Sequence, residues 1–295
     1  MTFNMKKTLV MLLVTALTNS AAEAQLPYKI SGKGLEKPSY IVGTYHLAPA
    51  SFADQIHRLK NAFEECEQVY GEIALRETSK PKKQTELQQK QILHNGVTLS
   101  SLLSDEQLNK LNELLREVMG KVLNNEAMAA QMNRLSPALI SNSIMLITYA
   151  KSNPDLLRKD QSKLLDDHYL FIAVEKGKAV KEFETANFQM EIIFGKSLKQ
   201  QVEDLMCMVE NYRETVGMAE FVTEVYFSQD LEHLQDLCED EAMSSCGSSP
   251  EDSDNLIYNK NASWVEAMPE IMADKPIFSP YEPCISAAKG GGYHY

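Results

Sequence analysis

Two short β-rich runs constrain the fold more than anything else in the chain. Residues 40–43 (YIVG) and 68–75 (QVYGEIAL) each carry the composition of a buried strand. Between them, residues 52–65 place Ile56, Leu59 and Phe63 at helical spacing. Strand, helix, strand is the unit of a parallel sheet, because parallel neighbours need a crossover connection. The first strand stops at Gly43, which lets the backbone turn sharply or approach a ligand closely. His46 follows three residues later, at the carboxyl end of that strand. Ligands of open α/β sheets bind at this edge, and imidazole is suited to proton transfer or metal ligation. In the second run, Glu72 interrupts an apolar strand, where a carboxylate is costly unless paired or liganded.

Residues 25–38, with Gly32 and Gly34, suggest a leading hairpin, and residues 80–90 a polar, basic linker or helix face. Ser104 caps a predicted helix over 105–118, with Leu108, Leu111, Leu115 and Met119 as its apolar stripe. Ser136-Pro137 opens another through 150. A helix over 164–177 ends at Gly177. A strand over 179–184 ends on Glu184, again at a carboxyl end. Residues 188–227 read as largely helical, with Leu198, Val202, Leu205, Val209 and Tyr212 as a core face. A Ser/Asp/Gly-rich loop over 244–254 precedes a helix over 254–272 that holds Trp264, and a strand begins at Pro276-Ile277-Phe278. Strands cluster at both ends of the sequence. The expectation is one α/β domain whose central sheet is formed by the N- and C-terminal parts, with a large helical insertion.

A net charge of −12 argues against a nucleic-acid partner held through phosphates. Lys6 and Lys7, the apolar residues 8–18 and the Ala22-Glu23-Ala24 cleavage site predict a signal peptide over 1–24, and so export to the periplasm or beyond. No membrane span is predicted after its removal. Export permits disulfides among the five cysteines. Cys238 and Cys246 bracket an acidic, Ser-rich stretch and could pair; free or buried thiols are the alternative. No C-x-x-C occurs, which argues against a thiolate zinc site.

Five motifs in order resemble the TraB/GumN (Tiki-like) family over residues 28–278: Gly43 to His46; Glu72; Asp167 to Leu170 with Gly177-Lys178; Glu184-Thr185 to Gln189; and Lys260-Asn261-Ala262-Ser263-Trp264. The resemblance implies an α/β fold related to erythromycin esterase and the haem-binding ChaN proteins. It implies a metal-dependent peptidase acting on a peptide or protein substrate. By the same resemblance His46, Glu72 and Glu184 are the candidate catalytic residues, and His46 and Glu72 the ligands of a divalent metal ion. Such an ion lowers the pKa of a bound water. Without a metal, His46 with Glu72 could act as a general-base pair. Gly43, Asp167, Gln189, Lys260 and Asn261 take supporting roles. Lys260 stands where the family has Arg; it keeps the charge and loses the planar fork.

The family's second Gly-x-x-His, near the C-terminus, is absent; His294 is the only late histidine. Residues 25–278 are read as the domain and 279–295 as an aberrant, frameshifted tail. Cys284 to Gly290, written TGC ATC TCG GCG GCG AAG GGG, reads two bases later as His-Leu-Gly-Gly-Glu-Gly. A natural divergent tail is the alternative. Three functional readings result: an exported metal-dependent hydrolase, a non-catalytic peptide- or haem-binding or inhibitory protein, and the inactive product of a damaged gene.

Overall fold

The computed structural model describes residues 26–32, 34–73, 80–120, 130–154, 164–239, 246 and 260–281. The predicted signal peptide, the 244–254 loop apart from Cys246, and the tail beyond Tyr281 lie outside the described residues.

Five strands form one sheet: β1 (Pro27–Ile30), β2 (Ser39–Gly43), β3 (Gln68–Ile73), β4 (Ala179–Glu184) and β5 (Ile277–Tyr281). Their order across the sheet is β1-β2-β5-β3-β4. β2, β5, β3 and β4 run parallel, and only β1 is antiparallel. The α/β expectation therefore holds, with a mixed sheet. The leading hairpin differs in one respect: β1 turns back through Gly32 and Gly34, both at positive φ, and its partner is β2 itself. Gly43, expected at a sharp turn, is not among the glycines at positive φ. It lies buried at the end of β2, opposite Tyr281.

Alternation along the strands gives the sheet two apolar faces, as parallel strands require. Val42, Val69 and Phe278 point into one core, and their neighbours Ile41, Tyr70 and Ile277 into another. The first core is covered by α1 (Leu59–Glu65), α6 (Leu165–Glu175), α9 (Tyr212–Phe227) and α10 (Leu231–Glu239). The second is covered by α11 (Lys260–Asp274), whose Trp264 is buried and stacks on Phe183 at 4.8 Å. A third core lies inside the helical insertion. It joins α3 (Leu99–Leu102), α4 (Asp105–Met119), α5 (Pro137–Ser152) and α8 (Leu198–Glu210) through Leu99, Leu111, Leu115, Ile140, Ile144 and Leu205. Two further helices, α2 (Pro81–Gln91) and α7 (Ala186–Phe194), lie together, joined by Lys83 to Asn187 at 2.8 Å and Lys90 to Glu191 at 2.6 Å.

Local signals set the helix starts. Ser104 and Gln107 form the reciprocal cap of α4, Ser136 caps α5 ahead of Pro137, and Ser197 with Gln200 caps α8. Two predicted helices are broken. The stretch 52–65 is a 3-10 turn (Ala50–Gln55) and then α1, parted by Arg58 at φ 60°. The break sends Phe52 against Tyr226 and Phe227, and Phe63 against Tyr169 and Phe278. One straight helix presents a single line of contact. The stretch 188–227 divides into α7, α8 and α9. Leu198, expected in its core face, is exposed, while Gln201 is buried. The Gln201 amide donates to the Phe194 and Lys196 carbonyls at 3.1 and 2.9 Å, satisfying the end of α7.

β5 carries Pro280 inside the sheet, a position prolines rarely take because they have no N–H to donate. Gln68 N donates to Pro276 O at 3.4 Å. The alternation of a parallel ladder then puts Tyr70 O opposite the nitrogen of residue 280. That donor is missing, and the β5–β3 pairing ends at Phe278. The hydroxyl of Ser279 takes its place, donating to Tyr70 O at 2.9 Å. On the other side β5 pairs with β2 as far as Tyr281. The strand thus runs three residues past the Phe278 at which the regular domain was expected to end.

Of the two states open to Cys246, paired with Cys238 or a free thiol, the structure shows neither. Cys246 is bonded to Cys207, near the end of α8. The partner was hidden in sequence because it lies 39 residues away.

Candidate functional site

The carboxyl ends of β2, β3 and β4 bring His46, Glu72 and Glu184 to one edge of the sheet. β5 lies between β2 and β3, so His46 and Glu72 reach towards each other across its end.

The loop after Gly43 is fixed from several sides. Tyr226 in α9 donates its hydroxyl to Gly43 O at 3.2 Å, and Tyr149 in α5 donates to Leu47 O at 3.4 Å. Burial pushes both phenols above their ordinary pKa and keeps them protonated donors. The Tyr45 ring sits between theirs, with centroids 6.0 Å from Tyr149 and 5.6 Å from Tyr226. Leu165 N, the first residue of α6, donates to Ala48 O at 2.9 Å. The helical insertion and the sheet thus meet at this loop.

His46 itself is half exposed. Its Nδ1 lies 2.7 Å from Asp166 Oδ2, and its Nε2 lies 3.8 Å from Glu72 Oε1. Asp166 and Asp167 both sit in the first turn of α6, where the helix dipole favours negative charge. Asp167 was the aspartate singled out from sequence; Asp166 is the one that meets the imidazole. A helical step turns the side chain by about 100°, so neighbouring aspartates cannot be told apart by motif spacing alone. Asp167 still feels the site. Burial raises its carboxyl above the ordinary range, the charge of Asp166 adds to this, and His46 opposes it.

Glu72 and Glu184 are held by one side chain. Gln189 Nε2 donates to Glu72 Oε2 at 3.0 Å and to Glu184 Oε2 at 3.2 Å, one amide hydrogen for each carboxylate. The local sequence explains how. Glu184 ends β4, Thr185 caps α7 by accepting from Phe188 N at 3.2 Å, and Gln189 follows one turn into the helix. Glu184 is buried, while Glu72 keeps partial access.

Two other motif residues have structural work. Lys178 donates to the Phe63, Glu64 and Cys66 carbonyls at the end of α1, and its ammonium lies 4.8 Å from the centre of the Phe63 ring. A cation at a helix C-terminus is favourable. Trp264 belongs to the core described above. Lys260 and Asn261 open α11; their side chains lie outside the described residues.

An imidazole and surrounding carboxylates are the donor types that suit a divalent cation. His46 Nε2 and Glu72 Oε1 at 3.8 Å are near enough to share one ion, since ligands at about 2.1 Å each can lie no more than about 4.2 Å apart. They supply two ligands. Among the described residues no three or more His, Cys, Asp or Glu side chains are arranged to hold a metal ion.

A mixed, mostly parallel sheet with polar side chains gathered over its carboxyl edge defines an α/β protein, and that edge is where open α/β sheets generally bind ligands. Residues 26–279 match the TraB/PrgY/gumN family, and the chain belongs to that family. No curated protein and no solved structure matches it. Among the described residues no helix is long and apolar enough to cross a membrane.

Proposed function

We propose that the protein is an exported hydrolase, a metal-dependent peptidase that activates water between His46 and Glu72. The observation that carries the reading is the 3.8 Å separation of His46 Nε2 and Glu72 Oε1 over the strand ends. That gap is too long for a direct hydrogen bond; Glu72 Oε1 is closed to solvent as it stands, and a small rotation of the half-exposed imidazole would open the gap to one bridging water. A water there can give its proton to a basic atom while its oxygen faces a substrate carbonyl. Gln189 fixes the far oxygen of Glu72, so that Oε1 is the one left facing the histidine. Glu184 lies behind the pair, on the same Gln189 amide as Glu72. His46 and Glu72 would hold the cation, which when bound would supply a more acidic water and a Lewis acid for the carbonyl. The carboxyl groups of Glu72, Asp166 and Asp167 near one imidazole favour a cation electrostatically. The Cys207–Cys246 disulfide supports export, because such bonds persist in oxidising compartments.

The test is metal analysis and hydrolysis of a peptide and ester panel. It uses the chain as it stands and a version whose tail is restored to Gly-x-x-His. His46→Ala and Glu72→Gln should each abolish turnover. Metal stoichiometry near zero together with no hydrolysis in either version would end this reading.

That two donors face each other among the described residues, and no larger ligand group is found there, favours a second reading, a non-catalytic protein that sequesters a peptide or haem. Saturable binding of either, unaffected by Glu72→Gln, would support it over catalysis.

A further inference from the structure

We propose that Asp166 is the positioning residue of His46, holding the proton on Nδ1 so that Nε2 is the working nitrogen. The inference rests on the site reading above and deepens it. A neutral imidazole has one donor nitrogen and one acceptor nitrogen, and an ionised carboxylate only accepts. Asp166 Oδ2 lies 2.7 Å from Nδ1, the length of a charge-assisted bond. The hydrogen of that bond therefore belongs to Nδ1, and the lone pair is left on Nε2. Nε2 is the nitrogen that faces Glu72.

The surroundings favour this arrangement. The His46 side chain is 50% exposed and that of Asp166 is 20% exposed, so the carboxylate is the anchored partner and the ring the one held. Asp166 occupies the first turn of α6, and the same turn is tied to the His46 loop through Leu165 N and Ala48 O. The two residues are thus fixed by one piece of backbone, 120 residues apart in sequence. Histidines that ligate metals or move protons commonly use their second nitrogen in this way. In either chemistry Asp166 acts through His46 and does not touch the reacting atoms.

The experiment is two-bond proton–nitrogen NMR on the full chain with ¹⁵N-labelled histidine, at a pH where the ring is neutral. His46 is assigned by its loss in His46→Gln. In the wild type His46 should show the Nδ1–H tautomer. Asp166→Ala should remove that preference, Asp166→Asn should weaken it, and Asp166→Glu should restore part of it. A merely structural Asp166 would lower the melting temperature and leave the tautomer unchanged. A wild-type Nε2–H tautomer, or an unchanged one in a folded Asp166→Ala or Asp166→Asn variant, overturns the proposal. Zinc titration separates this from the hydrolase reading. Zinc binding that weakens about 10- to 100-fold in Asp166→Ala supports both. Absence of zinc binding in the wild type counts against the metal, while the tautomer result stands by itself.

Discussion

The buried hydroxyl of Ser279 donates to Tyr70 O at 2.9 Å, at the step where Pro280 offers β3 no backbone donor. A side chain thereby repairs the ladder of a central strand. Removing it leaves a buried carbonyl unsatisfied, which costs about 1–3 kcal/mol. Ser279→Ala should lower the urea midpoint accordingly. Adding Pro280→Ala restores an N–H, so the double variant should lie nearer the wild type than Ser279→Ala alone. Simple additivity of the two losses would refute the substitution of one donor for the other.

Lys178 is expected to be a stability residue. Its replacement by Met should cost about 1–3 kcal/mol, because three carbonyls at the end of α1 lose a charged donor. Denaturant unfolding measures this. Unaltered metal or ligand affinity in the same variant checks that the lysine acts from outside the site.

The Cys207–Cys246 bond closes a long loop, and its loss should destabilise the protein by about 2–4 kcal/mol. Peptide mapping of non-reduced protein should recover the cross-linked pair. Cys66 should behave oppositely. Burial pushes its thiol up to about 12, so alkylation at mild pH should reach it only after unfolding.

Asp167 gives a pH signature whose sign is fixed. Its folded carboxyl lies above the ordinary value, chiefly through burial. The native state therefore holds the proton more tightly than the unfolded chain, and this group's contribution to stability falls as pH rises through that interval. Asp167→Asn should be more stable than the wild type at neutral pH. The difference should close as pH drops below the ordinary aspartate range. Urea unfolding at several pH values reads it, and a gap that widens on acidification would contradict the assignment.

Much of the architecture is local and was open to inspection of the chain. β-rich apolar runs mark β2 and β3, and Ser104 and Ser136-Pro137 mark helix starts, because each depends on neighbours within a turn or two. A parallel sheet followed from the strand–helix–strand order. His46 and Glu184 could be nominated because each lies at or beyond the carboxyl end of a strand, and Glu72 because a carboxylate inside an apolar strand is costly unless paired or liganded.

Which groups meet was decided only by folding. Nothing near Tyr70 in sequence announces Ser279, and nothing near Cys207 announces Cys246. The insertion of β5 between β2 and β3 is a long-range pairing, and it sets the gap between His46 and Glu72. The preference for Asp166 over Asp167 depends on how α6 is rotated against the His46 loop. Gln189 reaches two carboxylates only because β3 and β4 are neighbours. Local propensity governs residues that share a turn or a strand. Contacts between distant segments are set by how whole faces pack, and the site over the sheet edge is made almost entirely of such contacts.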